Sequence, residues 1–122
     1  MKRELAGLLG PLEAEVLEEL WAAGEPLAVR DVLDAVNAGR TPPLAYTTVM
    51  TVMSRLAEKG ILARRPHGRG YVYEAAVRDV AEIAVRGVMK EFGAAAVTHF
   101  VDAARDDPKL RRRLERLMRD DQ

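Results

Sequence analysis

Apolar positions recur at helical spacing in three blocks over the first sixty residues. In GPLEAEVLEELWAAG, residues 10–24, Leu12, Val16, Leu17 and Leu20 share one face with Trp21 at its edge. Pro11 suits the first helical position, Glu13 the positive first turn, and Gly24 the stop. EPL, residues 25–27, reads as a turn into a short extended piece. VRDVLDAVNAG, residues 29–39, is a second helix with Val29, Val32, Leu33 and Val36 inward and Gly39 ending it. RTPPL is a loop, because consecutive prolines forbid helix.

The third block, LAYTTVMTVMSRLAEKG over residues 44–60, puts Val49, Val52, Met53 and Leu56 on one face. Thr47, Thr51, Ser54 and Glu58 fall opposite, flanked by Met50 and Arg55. Ala45 is a poor N-cap and Thr47 or Thr48 a better one, so the helix start is open by a few residues. In ILARRPHGRGYVYEA, LARR and YVYEA read as strands and PHGRG as the turn of a hairpin. Three helices followed by a basic hairpin is the order of a winged helix-turn-helix. From about Arg78 the chain is helical again. VRDVAEIAVRGVMKEFG has Val80, Ile83, Ala84 and Val88 on one face, and AAAVTHFVDAA is short and apolar. DDPKLRRRLERLMRDDQ opens with Asp107 as N-cap and carries a stripe of Leu110, Leu114, Leu117 and Met118. Such short helices bury themselves poorly alone and are natural material for a dimer. The expected architecture is mainly α with a small β-hairpin: a winged-helix domain over residues 1–77 and a helical dimerisation region over 78–122.

Composition sharpens this picture. At 122 residues the chain is one domain, or a small domain with an appendage. It has no cysteine, which excludes disulfides and thiolate chemistry and suits a reducing cytoplasm. The basic start precedes only a short apolar stretch, broken by Pro11, Glu13 and Glu15, so no signal peptide is expected. No apolar run reaches membrane-span length. Formal charge is zero, but unevenly laid out. Residues 1–39 hold three basic and eight acidic residues, net −5. Residues 40–73 hold six basic residues against Glu58 alone, net +5. Residues 74–122 have ten of each sign, and the acids around LRRRLERLMR make it a salt-laced packing helix rather than a basic arm. The middle third is a basic island that attracts polyanions to one face.

Threonine is a mediocre helix former, so its repetition on an exposed flank favours a contact over plain solvated surface. Threonines reach phosphates and base edges and meet thymine methyls, as Met50 does. Arg64, Arg65 and Arg69 around a glycine hairpin, beside Arg55 and Lys59, favour phosphate contact, with His67 at the tip. The only two histidines, His67 and His99, match no metal motif. Ser54 has no base nearby in sequence, and no phosphate loop occurs. An enzyme reading therefore has no constellation to stand on, and no cofactor is expected. A winged-helix module that binds other proteins is the alternative to a DNA-binding one. The neutral total favours it; the basic island and the hydroxyl-rich helix oppose it.

GPLEAEVLEELW, AYTTVMTVMSRLAEKGIL, YVYEAAV and AAAVTHFVDAA together resemble the BlaI/MecI penicillinase-repressor family through nearly the whole chain. The resemblance implies a homodimeric winged-helix repressor on a palindromic operator. It implies a recognition helix starting near Tyr46, with Thr47, Thr48, Met50 and Thr51 in the major groove and Arg55 nearer the backbone. The wing, with Arg64, Arg65, His67 and Arg69, would contact flanking phosphate or minor groove. The C-terminal helices would intertwine through Ile83, Val88, Val97, Phe100, Val101, Leu110, Leu114 and Leu117. Beta-lactam-linked members are inactivated by proteolysis before a phenylalanine, which would here be the His99–Phe100 bond, cut by a membrane sensor protease. The best-known relatives carry asparagine where this chain has His99. The copper-responsive branch carries C-terminal cysteines that this chain lacks, so metal sensing of that kind is not expected. Some relatives have arginine at the position of Met50, which implies a different operator preference here.

Overall fold

The structure, a computed structural model, describes residues 2–120, with side chains from residue 4 onward; Asp121, one of the acids flanking the last helix, lies outside them. Two compact units divide the chain, Met1–Ile83 and Ala84–Gln122. The division falls beyond residue 77, where the sequence suggested it, because Val77 and Ile83 are both buried in the core of the first unit.

The first unit contains α1 (Lys2–Leu9), α2 (Pro11–Ala23), β1 (Leu27–Ala28), α3 (Val29–Asn37), α4 (Tyr46–Glu58), β2 (Leu62–His67) and β3 (Gly70–Ala75). The helix α1 is absent from the sequence expectation. Eight residues with a central Gly7 give too short a repeat to show, yet Leu5 is fully buried against the core. Gly10, at φ +100°, separates α1 from α2, a backbone conformation that glycine adopts without Cβ strain. Pro11 then opens α2, and Gly24 ends it in the left-handed region, as read from the sequence. The predicted stripes of all three helices meet. Val16, Leu17 and Leu20 of α2 pack with Val32, Leu33 and Val36 of α3 and with Val49, Met53 and Leu56 of α4.

The short extended piece before α3 is a true strand. Leu27 pairs with Tyr73 and Ala28 with Val72, giving an antiparallel sheet in the order β1-β3-β2. The hairpin is tighter than expected: β2 and β3 run on through PHGRG until only Gly68 and Arg69 remain outside the His67↔Gly70 pair. Among these two, only Gly68 has positive φ, the pattern of a type II′ turn, which matches the twist of the strands. Pro66 is tolerated because β2 is an edge strand. Its pair with Tyr71 adjoins the closing hydrogen-bonded pair, so its missing N–H would have pointed away from β3.

Two polar contacts set the frame. The Trp21 indole Nε1–H donates to the Val77 carbonyl at 2.9 Å, tying the exit of β3 to α2. The Asn37 side chain bonds Leu44 twice, accepting from its N–H at 2.8 Å and donating to its carbonyl at 3.1 Å. That pair closes the proline loop and fixes where α4 begins.

The helix α5 (Val80–Phe92) starts in the first unit and is capped by Asp79, whose carboxylate accepts from the Glu82 N–H at 2.9 Å. In the second unit it is followed by α6 (Ala94–Arg105) and α7 (Pro108–Asp120). Asp107 caps α7 as expected, accepting from the N–H groups of Lys109 and Leu110 at 3.0 and 3.3 Å. Among the described residues of this unit only Ala104 is buried. Ala84, Val85, Val88, Met89, Ala96, Val97 and Phe100 line an open apolar cleft of about 360 Å³ between α5 and α6. No described helix is long and apolar enough to cross a membrane.

Candidate nucleic-acid interface

Helix α4 begins at Tyr46 with Ala45 as an N-cap that offers no side-chain hydrogen bond. Thr47 and Thr48 therefore do not cap; both lie exposed in the first turn. Two rows run along the exposed side at four-residue spacing. Tyr46, Met50 and Ser54 form one, and Thr47, Thr51 and Arg55 the next row round. Tyr46 and Met50 are 43% and 39% exposed, large apolar surfaces that the core does not claim. The buried row, Val49, Met53 and Leu56, anchors the helix and so fixes which side looks out.

The first of these rows forms one wall of a groove of about 440 Å³ whose other wall is the hairpin. Arg64, His67 and Arg69 line it, with Tyr71 and Tyr73 beneath and Arg30 at the α3 end. No aspartate or glutamate lines it. The hairpin register explains which arginine takes part. Arg64 is paired with Tyr73 and shares a sheet face with Tyr71, whereas Arg65 is paired with Val72 and alternates to the opposite face. Accordingly Arg64 lines the groove and Arg65 does not. The Arg64 guanidinium lies 4.6 Å from the Tyr71 ring centroid. A side-chain hydrogen bond with Tyr73 pushes the Arg64 pKa above its ordinary value. Tyr71 and Tyr73 are edge-to-face at 6.5 Å, which completes a small aromatic support under the cation.

The basic island is smaller in effect than its count. Arg40 reaches Glu15 of α2 at 2.6 Å, and Lys59 reaches Glu13 at 2.9 Å. Those two cations tie α2 to the C-terminal ends of α3 and α4. Among the described residues Arg30, Arg55, Arg64, Arg65 and Arg69 enter no ion pair. Arg30, Tyr71 and Tyr73 are residues of the groove that sequence reading missed. Arg30 sits in a helix whose stripe is all core, and Tyr71 looks like an ordinary strand residue until the register places it under Arg64.

In the second unit Val88, Val97, Phe100, Leu110 and Leu117 lie exposed, Phe100 by 60%, and Val101 and Leu114 are half-buried. Ile83 differs: it lies in the core of the first unit and is not part of this exposed set. His99 and Phe100 are both exposed on α6. Among the described residues no cluster of histidine, aspartate or glutamate could hold a metal ion.

The helix α4, held by its buried row, with a hairpin wing beside it and a cationic groove between, defines a winged helix-turn-helix domain. The chain belongs to the penicillinase repressor family, which matches residues 9–120. Two proteins of Mycobacterium tuberculosis, from the strains CDC 1551 / Oshkosh and ATCC 25618 / H37Rv, are each 40% identical to it over 120 residues, covering 89% of this chain and 84% of theirs. Both carry the name transcriptional regulator BlaI. Family and relatives are named as regulators of transcription, not as enzymes.

Proposed function

We propose that this protein is a homodimeric repressor that binds a palindromic DNA operator. The observation that carries the reading is the groove between α4 and the wing, lined by three arginines and a histidine and by no carboxylate. In this reading α4 enters the major groove. Thr47, Thr48, Met50 and Thr51 meet base edges, Arg55 lies nearer the backbone, and the wing arginines hold phosphate. The exposed apolar stripe of α5, α6 and α7 joins two copies, so that two reading helices address half-sites about one helical turn, or a small multiple, apart. Joining two weak contacts raises affinity through effective concentration. The bound dimer covers a promoter and blocks polymerase, a mode of action open to a transcriptional regulator, which is what the M. tuberculosis relatives are named.

Release would follow from anything that separates the two halves of the dimer. A membrane sensor protease cutting the His99–Phe100 bond is one such route. That bond lies inside α6, so α6 must open locally before a protease can take it in extended form.

The test is fluorescence anisotropy of a labelled random-sequence duplex with the full chain over a range of salt. Log affinity is expected to fall linearly with log salt, and a palindrome selected from a randomised pool should bind more tightly than the random duplex. Binding that ignores salt, or none at all, overturns the reading in favour of a protein-interaction module.

A further inference from the structure

Arg30 stands where a cation is least expected. It occupies the first turn of α3, the positive end of that helix, where an acidic residue is favoured and a basic one is not. Asp31 beside it is turned to the Ala28 N–H at 3.0 Å, and Asp34, one turn on, makes no ion pair with it. The neighbour that Arg30 does have is the ring of Tyr46, whose centroid lies 5.7 Å from its guanidinium carbon. Tyr46 is the first residue of α4 and lines the same groove as Met50 and Arg64. Two cations thus stand on tyrosine rings in one groove: Arg30 on Tyr46 from the helical side, Arg64 on Tyr71 from the wing. Stacking leaves the guanidinium edge, with its N–H donors, free to bond two oxygens of an anionic partner.

We propose that Arg30 is a phosphate-binding residue of the DNA interface, contributed by neither the recognition helix nor the wing. One sugar-phosphate strand lies along the groove between Arg30 and Arg64, and Tyr46 acts on Arg30 as a positioning residue. This rests on the DNA-binding reading above.

The experiment titrates the full chain, as parent, Arg30→Ala, Arg30→Lys, Tyr46→Ala and the Arg30→Ala/Tyr46→Ala double variant, into labelled random-sequence duplex over a range of salt. Melting curves of each variant check the fold, which the exposed Arg30 should not disturb. Arg30→Ala is expected to weaken every duplex alike and to reduce the salt slope by about 0.9. Its deficit against the parent then narrows about 3.5-fold when salt is raised fourfold. Arg30→Lys should restore the slope with only part of the affinity, since an ammonium keeps the charge without the planar stack. The double variant should lose less than the product of the two single losses. If the parent binds and Arg30→Ala matches it in affinity and slope, Arg30 plays no part and the DNA reading stands. An affinity loss with an unchanged slope assigns Arg30 a merely structural role and also overturns the proposal. A parent that binds no duplex removes both readings together.

Discussion

Arg64 and Arg65 are adjacent in the chain and face opposite sides of the hairpin, because successive strand residues alternate. Their substitutions should therefore part company. Arg64→Ala is expected to weaken binding to all duplexes and to flatten the salt slope by roughly one unit, whereas Arg65→Ala should change both less. Thr51→Ala should act differently from either. Its side chain lies on the outward row of α4, so it should reorder preference among operator variants and leave the slope near the parent value. Gel shifts over salt and over a set of operators read both effects. If Arg65→Ala proved as damaging as Arg64→Ala, the face assignment of the hairpin would be wrong.

The helix α4 is placed by residues outside the proposed interface. Asn37 holds Leu44 by a reciprocal pair of hydrogen bonds, and Glu13 and Glu15 of α2 hold Lys59 and Arg40. The ion pairs are partly exposed and contribute little stability, so their effect is on angle and charge. Asn37→Ala removes both loop bonds at once, and we predict a loss of about 2 kcal/mol in urea unfolding, together with weaker operator binding. Leu5→Ala should lower stability by about 3 kcal/mol by opening a cavity where α1 meets the core, with the salt slope unchanged. A Leu5→Ala protein as stable as the parent would mean that α1 is dispensable to the fold.

At the scale of the whole molecule, the end of the first unit decides where the chain can be cut. Ending it at Ala76 discards Val77 and Ile83 from the core and the carbonyl that holds Trp21. A chain ending at Gly87 keeps all three. It is expected to melt cooperatively, to sediment as a monomer, and to lose most of the operator affinity of the full chain. A stable dimer from that shorter chain would refute the assignment of dimerisation to residues beyond it. The exposed apolar surface of α5, α6 and α7, in which only Ala104 is buried among the described residues beyond Ile83, motivates the prediction.

Helical periodicity, proline and glycine punctuation, and the segregation of charge were enough to place α2, α3, α4, the hairpin and the later helices, and to mark α4 and the wing as the surface of interest. These are local signals, since a 3.6-residue repeat and a restricted φ act within a few residues of chain. What they cannot carry is pairing between distant segments. Leu5 reveals itself only by what it packs on, and β1 only by its partner β3. Ile83 continues a helical stripe in sequence, yet the core of the first unit takes it. The same holds for the groove: Arg30 and Arg64 are thirty-four positions apart, and no periodicity connects them. Only the packing of α3, α4 and the hairpin around one core brings their charges into a single cleft.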